Sequence, residues 1–450
     1  MKICVVGTGY VGLVSGVCLA AKGHNVTCVD IDPAVVDKLG AGKTTIYEPG
    51  LDELLTRVHD EDRFRASRDL ASALDGASAA LVAVGTPSSD GVIDLRYIRE
   101  ASRSIGSYLR DNDRFLSIIV KSTVVPGTTD TVVRGEVEKA SGRRLGQFGL
   151  GMNPEFLREG AAVEDFMFPD RIVLGFEDER TLALLEDMYA PWDVDKLRVN
   201  TRTAELIKYA NNAILATQIS AINEIANVAA AANGIDVMDV VRGVTLDKRW
   251  NPMTNGARVM PSILSYLVPG CGFGGSCFPK DLQALRSFGR AHGVNMRVTQ
   301  AVLEVNEEQP YQVAEILQRQ LSDLNDKNCL VLGLAFKPET DDVRESASIK
   351  IVESLLARGA SVMAHDPIAA PNFRRALGSD AERVAFVADW RAQVASADVI
   401  VIATRWAEYD ALRGCDTAGK VVFDARRMFN PAAFAQANYL AIGLNKSAAP

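Results

Sequence analysis

The sequence predicts an α/β chain with two doubly wound parallel-sheet domains joined by a long central helix. Three observations predict it. Short apolar runs alternate with helical patterns through the first part of the chain, and the alternation begins again at Asn328. Between the two stretches, residues 201–233 hold no Gly and no Pro and carry apolar side chains at helical spacing. A chain of 450 residues is also too long for one ordinary core, so two or three domains are expected.

The first strand is Lys2-Ile3-Cys4-Val5-Val6, followed by Gly7-Thr8-Gly9-Tyr10-Val11-Gly12 and an Ala/Leu/Val-rich helix to Lys22. Gly23 ends that helix, Val26-Thr27-Cys28-Val29 is the second strand, and Asp30 stands at its end. A glycine fingerprint in this strand–turn–helix–strand context predicts a dinucleotide site, with the pyrophosphate on the helix N-terminus. Asp30 suits the adenosine ribose hydroxyls and would repel a 2′-phosphate, which favours NAD over NADP. Further parallel strands are expected at 79–84, 115–120, 148–152 and 172–176. Three of them end in Gly85-Thr86-Pro87, Lys121-Ser122-Thr123 and Asn153-Pro154-Glu155, at the edge where open α/β sheets bind ligands. Thr86 and Thr123 are candidates to line the cofactor; their other reading is as turn and cap residues. Asn153 reads as the cap of a further helix with Pro154 in its first turn. Glu155 in that turn is either functional or a simple complement to the helix dipole.

The central helix carries Leu206, Ile207, Ala210, Ile214, Leu215, Ile219, Ile222, Ile225 and Val228 at helical spacing, and helices of this length often join domains and dimerise. Lys208 and Asn212 share one face of it, as solvated groups or as a functional pair. In the second α/β stretch the first strand is 329–332, then Gly333-Leu334-Ala335-Phe336-Lys337-Pro338, a helix over 347–357 and a strand over 361–364 before Asp366. Strands at 399–403 and 420–423 follow, and the tail 446–450 reads as disordered. The three-glycine fingerprint is absent here. Lys337, Arg344 and Arg426 are cations at or near strand ends, suited to phosphate or simply to the surface.

Composition bounds the partners. Apolar content of 48% and charged content of 24% are those of a soluble globular protein, and a net charge of −8 argues against nucleic acid or a membrane surface as partner. No apolar stretch reaches the length of a spanning helix. Lys2 and the apolar run to Ala21 loosely resemble a signal peptide, but Gly7, Gly9, Gly12 and Gly16 interrupt it. The seven cysteines are scattered, with no metal-like spacing, and read mostly as buried small hydrophobes of a cytoplasmic protein.

One cysteine differs. Cys277 follows the run Gly272-Phe273-Gly274-Gly275-Ser276 and precedes Phe278-Pro279-Lys280-Asp281, where Pro279 fits a first helical turn. A helix N-terminus and Lys280 both favour thiolate over thiol, so this segment suggests covalent catalysis.

Taken in order, the segments 7–12 with Asp30, Tyr47-Glu48-Pro49-Gly50-Leu51, Gly85-Thr86-Pro87, Lys121-Ser122-Thr123, 153–159, Glu205-Leu206-Ile207-Lys208-Tyr209-Ala210-Asn211-Asn212, 272–281, and Phe336-Lys337 with 341–346 resemble the nucleotide-sugar 6-dehydrogenases of the UDP-glucose/GDP-mannose dehydrogenase family. The resemblance runs almost end to end. It implies a Rossmann-like NAD domain over 1–200, the long helix with a dimerisation and catalytic-cysteine region over 201–315, and a Rossmann-like nucleotide-sugar domain over 316–450. It implies NAD as cofactor, a homodimer through the central helix, and a nucleotide sugar as substrate. UDP-glucose is the first candidate, with TDP-glucose and GDP-mannose as alternatives; Phe278-Pro279-Lys280-Asp281 favours the glucose branch over N-acetylated sugars.

The implied reaction takes a primary alcohol to a carboxylate with two NAD, through a thiohemiacetal and then a thioester on Cys277. Lys208 and Asn212 are implied to stabilise oxyanion charge, Asp281 to act through water as acid and base, and Glu155 to serve thioester hydrolysis. Thr123 stands near the chemistry. Gly7, Gly9, Tyr10, Val11, Gly12, Asp30, Gly85, Thr86, Thr123, Glu159 and Arg344 are implied on the cofactor. Glu155, Phe156, Leu157, Lys208, Asn212, Tyr266, Gly272, Phe273, Gly274, Phe336, Lys337 and Arg426 are implied on the substrate. Two features depart from the family pattern. The 248–265 segment is longer than usual, leaving Arg249 and Arg258 both eligible to reach a partner subunit's substrate. Cys271, six residues before Cys277, offers an off-pathway disulfide. A two-electron hydroxyacid-type dehydrogenase or a non-catalytic nucleotide-binding protein are the rival readings; the first has no need of Cys277, and the second would be expected to lose it or Lys208.

Overall fold

Strand residues of alternating face explain the first sheet. Ile3, Val5, Ala79, Leu81, Ile119 and Leu174 pack on Leu13, Val14 and Val17 of the helix Tyr10–Ala21. Cys4, Val6, Ala80, Val82, Ile118 and Val120 face the other way, onto Ile98, Ile105, Leu109 and Val137. A sheet buried on both faces is what short, wholly apolar runs require. The computed structural model describes residues 1–89, 91–232 and 234–445; the tail 446–450 and Asn233 at the end of the expected helix lie outside them. The chain divides into two units, Met1–Asn211 and Asn212–Pro450, with the boundary inside the long helix Thr201–Ala231.

The sheet of the first unit has eight strands, in the spatial order Phe64–Ser67, Asn25–Val29, Lys2–Val6, Ala79–Val82, Ser117–Val120, Gly149–Met152, Ile172–Phe176 and Lys196–Val199. The first six are parallel. The expectation that 172–176 continues the parallel set is corrected: it runs antiparallel to Gly149–Met152, pairing Gly151 with Phe176. The reason lies in the connection. A parallel return needs a crossover that carries the chain back along the sheet. Here the N–H groups of Gly160 and Ala162 donate to the Glu48 carboxylate at 2.7 Å each, so the segment stays at the carboxyl edge and re-enters from there. Lys196–Val199 then pairs parallel with the reversed strand; its mixed, half-exposed residues left no apolar run to find it by.

The main sheet of the second unit has six strands, all parallel, in the order Val384–Phe386, Ser361–His365, Asn328–Leu332, Val399–Ile402, Val421–Asp424 and Asn438–Ala441. Helices cover one face through Val352, Leu355 and Phe373. Trp390, Trp406, Tyr409 and Phe434 cover the other. The unusual 248–265 stretch contains a small hairpin, Met253–Thr254 paired with Ala257–Arg258, closed by Asn255 and Gly256 at φ of 52° and 79°. That is the left-handed pair a two-residue hairpin turn demands. Among the described residues no helix is long and apolar enough to cross a membrane.

Candidate active site

The glycine turn forms as its spacing predicts. The helix Tyr10–Ala21 starts directly after it, with Gly9 as an N-cap that offers no side chain. Its first N–H groups are therefore left to a ligand or solvent. A Cβ on Gly12 would lie 2.0 Å from the Gly7 carbonyl oxygen, so only glycine permits this approach, whereas a Cβ on Gly9 would meet nothing within 4 Å. Asp30 ends the second strand, partly exposed. One carboxylate oxygen accepts from the Thr8 backbone N–H at 2.9 Å and from the Thr8 hydroxyl; the other accepts from the Asp32 N–H at 3.1 Å. Burial pushes this carboxyl up, but the hydrogen bonds from Thr8 and Asp32 outweigh it and hold it below the usual range. An uncapped helix start, open space at Gly9 and a fixed anionic acceptor fit a dinucleotide.

Tyr10 and Val11 open the helix, partly exposed. The Tyr10 hydroxyl donates to Glu48 and accepts from the Gly160 N–H at 3.2 Å. Burial, then Glu48 and Glu159, push the Tyr10 phenol above its ordinary range. Glu159 directly precedes Gly160, whose N–H reaches Tyr10. Gly85 is exposed, and the Thr86 hydroxyl donates to the Thr123 carbonyl at 3.0 Å, joining two strand ends.

At the same edge the expected helix start at Asn153 does not form; residues 153–158 are irregular and the next helix is Ala162–Met167. Asn153 has other work. Its side-chain oxygen accepts from Lys121 Nζ at 2.8 Å and from the Tyr189 hydroxyl, and its amide donates to the Val173 carbonyl at 2.9 Å. Bonds to three other strand ends and loops take the Asn153 side chain away from any cap. Glu155, 6% exposed, pairs with Lys208 Nζ at 2.9 Å and accepts from the Leu157 N–H at 2.7 Å. Burial pushes Glu155 up, while Lys208, the Leu157 hydrogen bond and Lys121 bring it below the usual carboxylate range. The ring of Phe156 lies 5.7 Å from Lys208 Nζ and 4.0 Å from the Arg171 guanidinium. Glu155, Phe156, Leu157 and Lys208 are thus brought together within the first unit.

The second unit gathers another set. Cys277, partly exposed, is the N-cap of the helix Phe278–Ala291, with Pro279 in its first turn. Ser276 Oγ lies 3.6 Å from Cys277 Sγ. Asp281 is buried; one oxygen accepts from the Asn212 side-chain amide at 2.7 Å and the other pairs with Lys280 Nζ at 2.9 Å. Lys208 and Asn212 sit one turn apart on the long helix.

The turn before Cys277 is held tightly. Asn306 accepts from the Phe273 N–H at 2.7 Å and donates back to the Phe273 carbonyl at 3.0 Å. The Gly275 N–H donates to the Arg344 carbonyl at 2.8 Å, and a Cβ on Gly274 would stand 2.2 Å from the Glu345 carbonyl. The Arg426 guanidinium donates to the Gly272 carbonyl at 2.7 Å. Lys337 lies over the Phe336 ring at 5.9 Å in the loop that faces this turn. Arg344 is exposed and forks onto Asp342, and Tyr266 is half-buried in the short helix Ser262–Leu267. Of the two eligible arginines, Arg249 is paired with Asp247 on the surface, and Arg258 donates to the Asn251 carbonyl at 3.2 Å. Cys271 is fully buried, 3.8 Å from the Ala403 carbonyl, and no disulfide joins it to Cys277.

Lys121, Glu48 and Glu205 lie inside the sequence patterns without a role that the patterns assign, and Asn306 lies outside all of them. Glu205 is buried and accepts from the Gly127 and Thr129 N–H groups at 2.6 and 2.8 Å; burial pushes it up to about 7. A charged residue ending or interrupting an apolar run was the signal available for Lys121 and Glu205. Asn306 lies on a polar helix face and had none.

Comparison with known proteins follows this geometry. Residues 1–193 match the NAD binding domain of the UDP-glucose/GDP-mannose dehydrogenase family, residues 202–308 its central domain and residues 330–431 its UDP binding domain. The UDP-glucose 6-dehydrogenase AglM of Haloferax volcanii is 40% identical over 437 residues, covering 95% of this chain and 97% of that protein. The UDP-glucose 6-dehydrogenase TuaD of Bacillus subtilis is 38% identical, covering 98% of this chain and 92% of its own. The solved UDP-glucose dehydrogenase of Pyrobaculum islandicum superposes with a TM-score of 0.87 at 41% identity, over 99% of this chain and 98% of that one.

Proposed function

The chain belongs to the UDP-glucose/GDP-mannose dehydrogenase family, and from that premise we propose that it oxidises the 6-hydroxymethyl group of UDP-glucose to the carboxylate of UDP-glucuronate through covalent intermediates on Cys277. The observation that carries this reading is the Cys277 turn: a partly exposed thiol at a helix N-terminus, with the buried Asp281 one turn on and held by Asn212. A two-electron alcohol dehydrogenase needs no such nucleophile.

When bound, NAD supplies the hydride acceptor for both oxidations. Gly7, Gly9, Val11 and Gly12 would admit its pyrophosphate, Asp30 its ribose hydroxyls, and Tyr10, Gly85, Thr86, Thr123, Glu159 and Arg344 would complete its surroundings. Cys277 adds to the aldehyde carbon, forming a C–S bond in a thiohemiacetal; oxidation of that adduct leaves a thioester, which water hydrolyses. Lys208 and Asn212 donate to the oxygen that becomes negative at each stage. Asp281 moves a proton through water, and Glu155 takes the proton of the hydrolytic water. Phe156, Leu157, Tyr266, Gly272, Phe273, Gly274, Phe336, Lys337 and Arg426 hold the sugar nucleotide. The working regions are 1–200 for NAD, 201–315 for the long helix and the cysteine, and 316–450 for the nucleotide sugar.

The same reading makes the protein a cytoplasmic homodimer through the long helix. Leu206, Ile214, Ile225 and Val228 support the dimer: all are exposed, and at about 100° per residue they fall within one arc of about 100°. The buried Cys4, Cys18, Cys28, Cys271 and Cys329, none of them in a disulfide, support a reducing compartment. The test is stoichiometric. Purified protein given limiting UDP-glucose and excess NAD is expected to form two NADH per sugar. One NADH per sugar would make it a simple alcohol dehydrogenase, and none would move the substrate to a TDP- or GDP-linked sugar or remove catalysis altogether.

A further inference from the structure

Lys121 is a buried cation that the proposed chemistry leaves unused. It follows the strand Ser117–Val120, is 3% exposed, and donates from Nζ to Asn153 at 2.8 Å. Its Nζ lies 5.4 Å from the centre of the Phe166 ring. Several elements around it bring titratable groups. The 153–158 segment brings Glu155, the long helix brings Lys208, the helix Tyr10–Ala21 brings Cys18, and Tyr189 shares the Asn153 oxygen. The buried Glu48 carboxylate also acts on Cys18. Burial pushes Lys121 down to about 8, with Glu155 acting against the shift and Lys208 with it. Asn153 is the residue through which Lys121 reaches the chain: it stands two positions before Glu155, anchored on its other side to Val173.

We propose that Lys121 is a positioning residue for the hydrolytic step: through Asn153 it aims the Asn153-Pro154-Glu155 segment, and through its charge it keeps Glu155 ionised to receive a proton from water. The inference rests on the thioester reading above. In that step the water oxygen bonds to the thioester carbonyl carbon and the C–S bond breaks. The sulfur leaves with the bonding pair as the Cys277 thiolate, one water proton passes to the Glu155 carboxylate, and the sugar leaves as the carboxylic acid. No oxidant or reductant is consumed. Removing Lys121 lets the carboxylate move and withdraws a cation from it, so Glu155 holds its proton to higher pH.

The test is rapid quenching of the full-length protein with UDP-glucose and NAD, read by intact-protein mass spectrometry. Lys121→Met is expected to complete both oxidations and then accumulate chain acylated by the sugar nucleotide, with hydrolysis slowed about a hundredfold, the cost of a misplaced reacting group. Its affinities for NAD and UDP-glucose should be unchanged. The acid limb of its single-turnover hydrolysis should move to higher pH, a shift that a merely structural lysine would not cause. Asn153→Ala keeps the charge and cuts the link, so it should slow hydrolysis with the acid limb in place. Wild-type hydrolysis and an unmoved acid limb in Lys121→Met would overturn the proposal. Should that variant fail to fold, a wild-type rate in Asn153→Ala overturns it instead. Glu155→Gln separates the two layers: no acylated chain there sinks the thioester reading, whereas acylated Glu155→Gln beside a freely hydrolysing Lys121→Met sinks only the role of Lys121.

Discussion

Asp30 and Asp366 occupy the same place in two sheets that share the order of their first six strands, each directly after the second strand, and they are used in opposite ways. Asp366 is 6% exposed, and protein donors consume it: the N–H groups of Leu334 and Ala335 and the Trp406 indole on one oxygen, those of Ile368 and Ala369 on the other. Asp30 is fixed, among the described residues, by Thr8 and the backbone after it, and stays partly exposed. The difference begins in the turn after the first strand. In the first unit the helix starts at Tyr10, three residues past Gly7, with an uncapped N-terminus. In the second, Gly333 opens a longer loop and the helix waits until Ala347. A short glycine turn leaves a carboxylate and a helix end free for a ligand; a long loop folds its own backbone donors onto the equivalent carboxylate. One sheet topology thus yields a binding site or a structural anchor according to the loop it carries.

The largest expected effect asks which unit holds the chemistry. Cys277→Ser should lose turnover by orders of magnitude while isothermal titration still detects NAD and UDP-glucose, because a hydroxyl is the poorer nucleophile. Near-normal turnover would remove the covalent step and, with it, the catalytic claim of the second unit. Next comes the pair of aspartates. Asp366→Asn turns an amide N–H₂ toward backbone donors and should cost about 3 kcal/mol, seen as a lower melting temperature. Asp30→Asn should leave melting almost unchanged and weaken NAD about tenfold, the worth of one hydrogen bond to a charged group. The reverse pattern would break the comparison.

A pH dependence sharpens the comparison further. The first unit buries two groups pushed toward neutrality, Glu205 up to about 7 and Lys121 down to about 8. Between 4.5, the ordinary value for a glutamate, and about 7, the folded chain holds the Glu205 proton more tightly than the unfolded chain, so this group's stabilisation is lost as pH rises. Between about 8 and 10.5 the unfolded chain holds the Lys121 proton more tightly, so stability rises with pH. Each slope is worth about 3 kcal/mol across its window. Calorimetry of Glu205→Gln should lack the first slope and that of Lys121→Met the second; slopes unaltered by these changes would place the titrating groups elsewhere.

Much of the site was legible because its chemistry needs local sequence. Gly7, Gly9 and Gly12 must be consecutive in space and therefore in chain, and Cys277 needs its own glycine turn and helix start beside it. The long helix was legible because an unbroken run of apolar positions at helical spacing has no other use. Asn153 was misread for the complementary reason. Asn before Pro satisfies every local rule for a helix start, but the side chain found Lys121, Tyr189 and Val173, which lie far away in sequence. The reversed strand Ile172–Phe176 escaped in the same way, since an apolar run carries no direction.

What the sequence determined by itself is the set of elements, the glycine turn and the cysteine at its helix start, because periodicity, turn geometry and helix termini act over a few residues. What only the tertiary structure decided is which buried charges meet. Lys121 beside Asn153 and Glu155, Glu155 on Lys208, Asp281 on Asn212 and the filling of Asp366 join residues tens of positions apart. A buried charge is stable only where folding delivers its partner, and the identity of that partner is not written next to it.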